Sequence, residues 1–300
     1  MTEISPRRTV LTSFLVDLID IATNVTVAMI TGSVIMASES LQGVADLTAV
    51  GLLMLGLNRS SVRGIQNHPL GRGRELYFWT LIASILMLFL TSSLSFYLGF
   101  TRYLHPEPVY NVYLALIVLG IAMITNGYAL SLDIRRILHH QPITTLIPQL
   151  KNSLFIETKT TLVLDLMGTC SAILGFVSLT LYQLTGYSQF DGIGAMTVGV
   201  VLAILSVILI KEVKQLLIGK RAHKSIENQI KNIALTNPQV RRVAQIKTIL
   251  SGNNQITASL DLHLINDLDT DAIEKLTAKI KHQIQQELPS VEDTQIELVS

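Results

Sequence analysis

The chain has 300 residues, of which 49% are hydrophobic and 15% are charged. Soluble domains carry about 25% charged residues, so this composition indicates a membrane protein rather than a wholly soluble one. The net charge of +1 gives no reason to expect a nucleic-acid partner, and the single cysteine, Cys170, excludes a disulfide framework within the chain.

Six apolar segments are each long enough to cross a bilayer as a helix, which takes about 20 mostly apolar residues. In chain order, these predicted spans are Val10–Ile30, Val34–Leu57, Leu76–Phe100, Val109–Leu130, Thr160–Tyr182 and Ile193–Ile210. The third has no charged residue, whereas the first, second and fifth each contain carboxylates. The sequence therefore predicts a six-helix transmembrane domain over residues 1–211.

Basic residues are concentrated before the first span, in alternate connections and after the last span, with Arg102 as the exception. Positively charged loops stay on the cytoplasmic side of a membrane. We therefore expect a multi-pass protein of the cell membrane with both termini in the cytoplasm.

Beyond Ile210 the charged residues are interspersed as on a soluble surface, which predicts a cytoplasmic domain over residues 212–300. Hydrophobic spacing and turn residues predict a helix, two strands, a helix and a last strand. Their ranges are Ser225–Leu235, Val240–Leu250, Gln255–Leu264, Asp271–Leu288 and Thr294–Val299. This order fits a small α/β ferredoxin-like sheet.

Polar residues on one face of the second span form the first part of a candidate metal site. Glu39, Gln42 and Asp46 are separated by three and four residues, which places them on the same side of a helix. Ionisable side chains within a membrane are costly and are candidates for function.

The fifth span carries Thr161 and, one turn later, Asp165. If the two faces meet, Gln42, Asp46, Thr161 and Asp165 can converge on one divalent cation, with Glu39 nearer the outer surface. The alternative is a pair of hydrogen-bonded or protonated carboxylates that only hold helices together. Asp17, Asp20 and Asn24 of the first span either line the same pathway or pack between helices.

At these residues the chain resembles the cation diffusion facilitator family of dimeric metal/proton antiporters. The segment TGSV (Thr31–Val34) precedes the second span, and HPLGRGRE (His68–Glu75) is similar to the family's loop motif. In the second span the family has an acidic residue, then His or Asp, then Asp, where this chain has Glu39, Gln42 and Asp46. In the fifth it has His or Asp four residues before Asp, where this chain has Thr161 and Asp165.

The resemblance implies a homodimeric efflux transporter in the lipid bilayer, which exchanges a divalent metal ion for protons. Asp46 and Asp165 would hold the ion, and manganese, iron or zinc would be a transported substrate rather than a cofactor. Gln42 and Thr161 replace the usual nitrogen ligands, which favours manganese or iron(II) over tightly bound zinc. Only His68 remains at the family's second, loop site.

Two other interpretations stay open. The first is a non-transporting relative that acts in assembly or metal sensing, with Gln42 and Thr161 marking an inactive site. The second, an intramembrane enzyme, would need a nucleophile and base or a histidine-rich site, and the six predicted spans contain no histidine. We therefore expect a transporter and not an enzyme.

Overall fold

The computed structural model describes residues 6–60, 71–138, 141–152, 156–266 and 268–299. Its first eight α-helices are α1 (Pro6–Thr31), α2 (Val34–Ser60), α3 (Glu75–Leu86), α4 (Ser93–Leu104), α5 (Val112–Leu138), α6 (Leu146–Asn152), α7 (Ile156–Thr185) and α8 (Gln189–Ile218). A π-helical segment, Met87–Ser92, joins α3 to α4, and a 3-10 turn, Ile143–Thr145, precedes α6. His68, where the loop motif begins, lies outside the described residues.

Five helical segments are long and apolar enough to cross a membrane: Val34–Ser60, Glu75–Leu104, Val112–Leu138, Thr158–Thr185 and Gln189–Ile218. Helix α1, with 26 residues, takes the place of the first predicted span. At 1.5 Å per residue it is long enough to cross a hydrocarbon core of about 30 Å. The prediction of a helical membrane domain is confirmed.

Several helices are longer than the apolar segments that predicted them. Helix α5 ends eight residues beyond Leu130 and includes Arg135 and Arg136 in its last turn, where the sequence predicted a loop. Polar side chains at such ends find partners: Lys159 of α7 lies 3.0 Å from a carboxylate oxygen of Glu212 on α8. The helices therefore continue past the apolar windows with paired charges at their ends.

Glycines allow α4 and α8 to approach each other closely. A Cβ added to Gly99 would lie 2.5 Å from the carbonyl oxygen of Gly192, and one added to Gly199 would lie 2.8 Å from the carbonyl oxygen of Ser92. Without a hydrophobic drive between helices in lipid, such small residues permit backbone contact. The π-helical segment lies directly before α4. The apolar sequence of the third predicted span gave no sign of it.

A buried apolar cluster joins α2, α3, α7 and α8 in the membrane domain. Its members are Ala45, Ala49, Ala83, Met87, Leu164, Met167, Val198 and Leu202. The cluster packs the helices that carry Asp46 and Asp165 in one bundle, and its many small or unbranched side chains let those helices come close.

The chain divides into two compact units. The first comprises Met1–Gly56, Trp79–Lys151 and Glu157–Val213, and the second comprises Leu57–Phe78, Asn152–Ile156 and Lys214–Ser300. The second unit thus contains the end of α2 and the start of α3 as well as the C-terminal domain. Helix α8 continues through residue 211, where the charge pattern of the sequence changes, to Ile218.

The C-terminal domain has the predicted order of elements. Its helices are α9 (Lys224–Leu235) and α10 (Thr270–Glu287), and its strands are β1 (Val240–Gly252), β2 (Gln255–Leu264) and β3 (Val291–Leu298). In the sheet, β2 lies between β1, to which it pairs antiparallel, and β3, to which it pairs parallel. The predicted α/β domain is confirmed, and β3 begins three residues earlier than expected.

Alternation along β2 explains the core of this domain. Ile256, Ala258, Leu260 and Leu262 are fully buried, and the residues between them are only half-buried. The i, i+4 pair Ile280 and Ile284 of α10 is also fully buried. Because a strand repeats every two residues and a helix about every 3.6, both apolar faces can be read from the sequence.

Candidate functional site

The polar face of α2 borders a small cavity within the membrane domain. Glu39, Gln42 and Asp46 line this cavity, whose volume is about 80 Å³. Glu39 and Gln42 are 5% and 2% exposed, which places their polar groups inside the bundle rather than at its surface. The shared face expected from their spacing is present.

Three other helices also contribute to the lining of the cavity. Asp17 and Asp20 of α1, Asn126 of α5 and Gly168 of α7 complete the lining. Gly168 packs closely against Asn126, because a Cβ there would lie 3.1 Å from the amide nitrogen of Asn126. Among the described residues, the polar side chains at the cavity are carboxylates and amides.

Two of the acidic groups at the cavity accept side-chain hydrogen bonds. The Ser171 hydroxyl of α7 donates a hydrogen bond to Glu39, and the Asn24 amide donates to Asp20 at 3.0 Å. The first bond joins α7 to α2, and the second lies within α1. These contacts orient two of the acidic side chains.

Other groups at the cavity have no hydrogen-bond partner within the described part of the chain. These are the amide oxygen of Gln42 and the Oδ1 atom of Asp46, both of them buried. Buried polar atoms without partners cost free energy, and in a membrane span the cost is several kcal/mol each. The cavity therefore presents donor atoms that suit a bound polar ligand.

Asp165 of α7 is not among the described residues that line this cavity. It interacts electrostatically with Asp46, and more strongly with Asp133 of α5. Arg136, which lies 3.2 Å from the Asp133 carboxylate, also acts on Asp165. The main electrostatic neighbour of Asp165 is thus Asp133, a carboxylate that the sequence did not single out.

Thr161 makes a local contact. Its hydroxyl donates to the backbone carbonyl of Thr158 at 3.3 Å, and the side chain is half-buried. Within the described ranges, no group of three or more His, Cys, Asp or Glu side chains converges tightly enough to hold a metal ion directly. The assignment of Asp46, Asp165, Gln42, Thr161 and Glu39 as ligands stays a prediction.

The sequence did not point to Asn126, Asp133 or Ser171. Asn126 interrupts an apolar stretch, which was a usable signal, whereas Asp133 stands three residues before Arg136 and resembles an ordinary charged helix end. Ser171 is unremarkable in an apolar segment because serines bond their own helix backbone there. Its role follows only from where α7 packs.

A second buried carboxylate has a structural role. Asp191, in the first turn of α8, accepts hydrogen bonds from the Ser33 hydroxyl and from the backbone N–H groups of Val34 and Ile35. Arg102 lies 4.0 Å from the same carboxylate and donates to the carbonyl oxygen of Gly32. Arg102, the exception to the predicted charge bias, is thereby tied to the start of α2.

Fold and site together define a helical membrane protein with acidic groups inside the bundle and a small α/β domain. The cation efflux transmembrane domain matches residues 10–218, and the cytoplasmic domain of cation efflux proteins matches residues 222–298. The chain therefore belongs to the cation efflux, or cation diffusion facilitator, family. This is a family of transporters rather than enzymes, for which the metal ion is cargo and not a cofactor.

Several curated proteins are similar to the chain. The mitochondrial proton-coupled zinc antiporter SLC30A9 of Mus musculus is 26% identical over 72% of this chain and 39% of its own length. The Xenopus laevis protein of the same name is 26% identical over 75% and 41%. Metal tolerance protein C4 of Arabidopsis thaliana is 27% identical over 62% and 41%. The chain thus spans about two fifths of the length of these relatives.

Among solved structures, a C-terminal domain of MamM in a nickel form is 14% identical and covers 26% of this chain and 98% of that domain, with a TM-score of 0.25. A copper form of the same domain covers 25% and 94%, with a TM-score of 0.24.

Proposed function

We propose that the protein exports a divalent transition-metal cation, exchanging it for protons, and that Asp46 and Asp165 hold the ion. The observation that carries this proposal is the cavity inside the bundle, where the amide oxygen of Gln42 and the Oδ1 atom of Asp46 are buried without partners among the described residues. Asp165 interacts electrostatically with Asp46 from another helix. Gln42, Thr161 and Glu39 are proposed as further ligands.

The charges fit a dication. Two carboxylates that interact in a low-dielectric bundle repel each other strongly unless a proton or a cation lies near them. A divalent ion neutralises Asp46 and Asp165 together, and amide and hydroxyl oxygens can fill the rest of its shell. The same carboxylates bind either metal or protons, so protons arriving from the far side would displace the ion.

The chemistry of the donors bears on which metal is carried. Oxygen ligands suit manganese and iron(II), whereas imidazole and thiolate suit zinc. The similar proteins of mouse and Xenopus laevis are described as zinc antiporters. We propose manganese, iron or zinc as the substrate class, with the donor set favouring the first two.

The protein would work as a homodimer in the cell membrane, with both termini and the C-terminal domain in the cytoplasm. The basic residues at alternate connections support this orientation, and the match to the cytoplasmic domain of cation efflux proteins supports the location of the domain. A non-transporting relative, acting in assembly or metal sensing, is the alternative.

Metal uptake into proteoliposomes tests the proposal. Vesicles that contain the full chain should accumulate at least one of manganese, iron or zinc when their interior is more acidic than the outside. Asp46→Ala and Asp165→Ala should each abolish this uptake. Asp271→Asn, a carboxylate change on the exposed start of α10, is the matched control and should transport normally. Inserted wild type that moves none of these metals would support the alternative.

A further inference from the structure

Helix α1 contributes two acidic residues to the cavity. Neither is among the positions of the second and fifth predicted spans on which the family resemblance rests. Asp17 and Asp20 line the cavity together with Glu39, Gln42 and Asp46 of α2. Both lie near the middle of a 26-residue helix, and both are exposed in the single chain. Carboxylates at such a depth face water-filled cavities or partners rather than lipid.

Asp20 is held in place, because the Asn24 amide donates to its Oδ2 atom at 3.0 Å. Asn24 is itself only 2% exposed, and its own oxygen has no hydrogen-bond partner within the described residues. The carboxylate of Asp20 therefore has an orienting contact from inside the bundle. An acid that served only to pack two helices would have its partner on the other helix.

The side chains that line the cavity offer the oxygen ligands that hard cations prefer. The polar lining described above consists of carboxylates and side-chain amides, which suit Mn²⁺ and Mg²⁺ better than Zn²⁺. The side chain of Gln42, which is 2% exposed, points the same way, because its amide oxygen has no partner among the described residues and can act as a ligand.

The size of the cavity indicates how an ion would be held. Its volume of about 80 Å³ is several times the roughly 10–15 Å³ that a single water needs on a comparable scale. The acids surround this space without converging on one point within the described ranges. Hard dications keep several of their waters when they bind to one or two carboxylates, so a partly hydrated ion fits the cavity.

From these observations we infer that Asp17 and Asp20 belong to the cation site and make it selective for a partly hydrated, oxygen-preferring dication, Mn²⁺ over Zn²⁺. The inference rests on the proposed function. It adds two residues of α1 that determine which metal ion the site prefers. In this arrangement the two carboxylates of α1 add oxygen ligands to those proposed on α2 and α7.

The test measures binding separately from transport. Loss of the free Mn²⁺ electron paramagnetic resonance signal reports binding to the purified full chain, with Zn²⁺ added as competitor. Asp17→Asn and Asp20→Asn should each weaken Mn²⁺ binding by about tenfold or more, as expected when a group that supports a metal site is lost. Asp20→His, which adds a nitrogen ligand, should shift the Zn²⁺ to Mn²⁺ preference by about tenfold towards zinc.

Thr26→Val is the matched control on α1, because within the described ranges its exposed hydroxyl donates only to the carbonyl oxygen of Ala22. It should leave Mn²⁺ binding and metal preference unchanged, and thermal unfolding in detergent verifies that every variant is folded. Wild-type affinity and metal preference in all three aspartate variants would overturn the inference.

Failure of the export proposal and failure of the α1 inference would give different results in these experiments. If Asp46→Ala and Asp165→Ala abolish uptake while the α1 variants behave as wild type, the export proposal stands and the α1 assignment is wrong. If the wild type moves no metal but binds Mn²⁺ through Asp20, the export proposal fails and the α1 site stands. Absence of Mn²⁺ binding to the wild type would overturn the inference outright.

Discussion

The Ser33 hydroxyl donates a 2.6 Å hydrogen bond to the carboxylate of Asp191, a residue 158 positions later in the chain. Asp191 also accepts from the backbone N–H groups of Val34, at 2.8 Å, and Ile35, at 3.2 Å. The first N–H groups of a helix have no partner within it, and a carboxylate there interacts favourably with the helix dipole. Asp191 therefore fixes the start of α2, the helix that carries Glu39, Gln42 and Asp46.

Replacing Asp191 with alanine should destabilise the membrane domain by about 3 kcal/mol or more, because it leaves buried donors unsatisfied and Arg102 without its carboxylate. Thermal unfolding of the full chain in detergent measures the loss. Asp191→Asn keeps an acceptor and should be affected less. Equal stability of Asp191→Ala and the wild type would show that the contact does not anchor α2.

Gln42→His should increase the preference of the cavity for zinc. The side chain is buried against the cavity, and its amide oxygen has no partner in the described residues, so an imidazole can replace it there. Zinc binds imidazole well, and we expect zinc affinity to rise by about tenfold relative to manganese.

Competition binding to the purified protein checks this result. Gln42→Asn, which keeps the amide but shortens the side chain, is the matched control and should not gain zinc affinity. An unchanged metal preference in Gln42→His would indicate that position 42 does not contact the ion.

Helical spacing predicted which residues share a face, but not which neighbouring helix that face meets. Glu39, Gln42 and Asp46 could be placed together from the sequence, because offsets of three and four residues are local geometry. The contact of Asp165 with Asp133 depends on how α7 packs against α5, which no local pattern encodes. The α/β domain was predictable almost completely, because alternation in β2 and the spacing in α10 reveal both of its buried faces.

The segment that leads into α3 contacts the β1–β2 hairpin inside the second unit. A Cβ on Gly73 would lie 2.4 Å from the carbonyl oxygen of Ser251 and 2.9 Å from the Cα of Gly252. The Tyr77 hydroxyl donates to the Gly252 carbonyl oxygen at 2.7 Å. This approach leaves no space for a side chain at position 73.

Gly73→Ala should therefore separate the segment from the hairpin, which hydrogen exchange of residues 251–255 in the full chain would show as faster exchange. Gly51→Ala is the matched control, because nothing lies within 4 Å of a Cβ at that position. Tyr77→Phe should weaken the same contact by about 1 kcal/mol. Protection of the hairpin equal to wild type in Gly73→Ala would contradict the contact.

The C-terminal domain should lose stability in acid through Glu227. Burial opposes ionisation of this glutamate, but hydrogen bonds from Arg221 and Thr248, with the charges of Arg221 and Lys224, hold its pKa below the ordinary 4.5. Because the folded state binds this proton less readily than the unfolded chain, ionised Glu227 stabilises the fold. Its contribution is complete above the unfolded pKa of 4.5 and is lost as pH falls through the lower folded value.

Hydrogen exchange of α9 and β1 in the full chain, compared between pH 7 and values below 4.5, measures this effect. Wild-type protection should fall in acid, whereas Glu227→Gln should already be less protected at pH 7 and should change less on acidification. Glu287→Gln, an exposed glutamate at the end of α10, is the matched control and should keep the wild-type profile. Because Thr248 joins β1 to this carboxylate, the loss should appear in β1 as well as in α9. An acid dependence in Glu227→Gln identical to that of the wild type would assign it to other carboxylates.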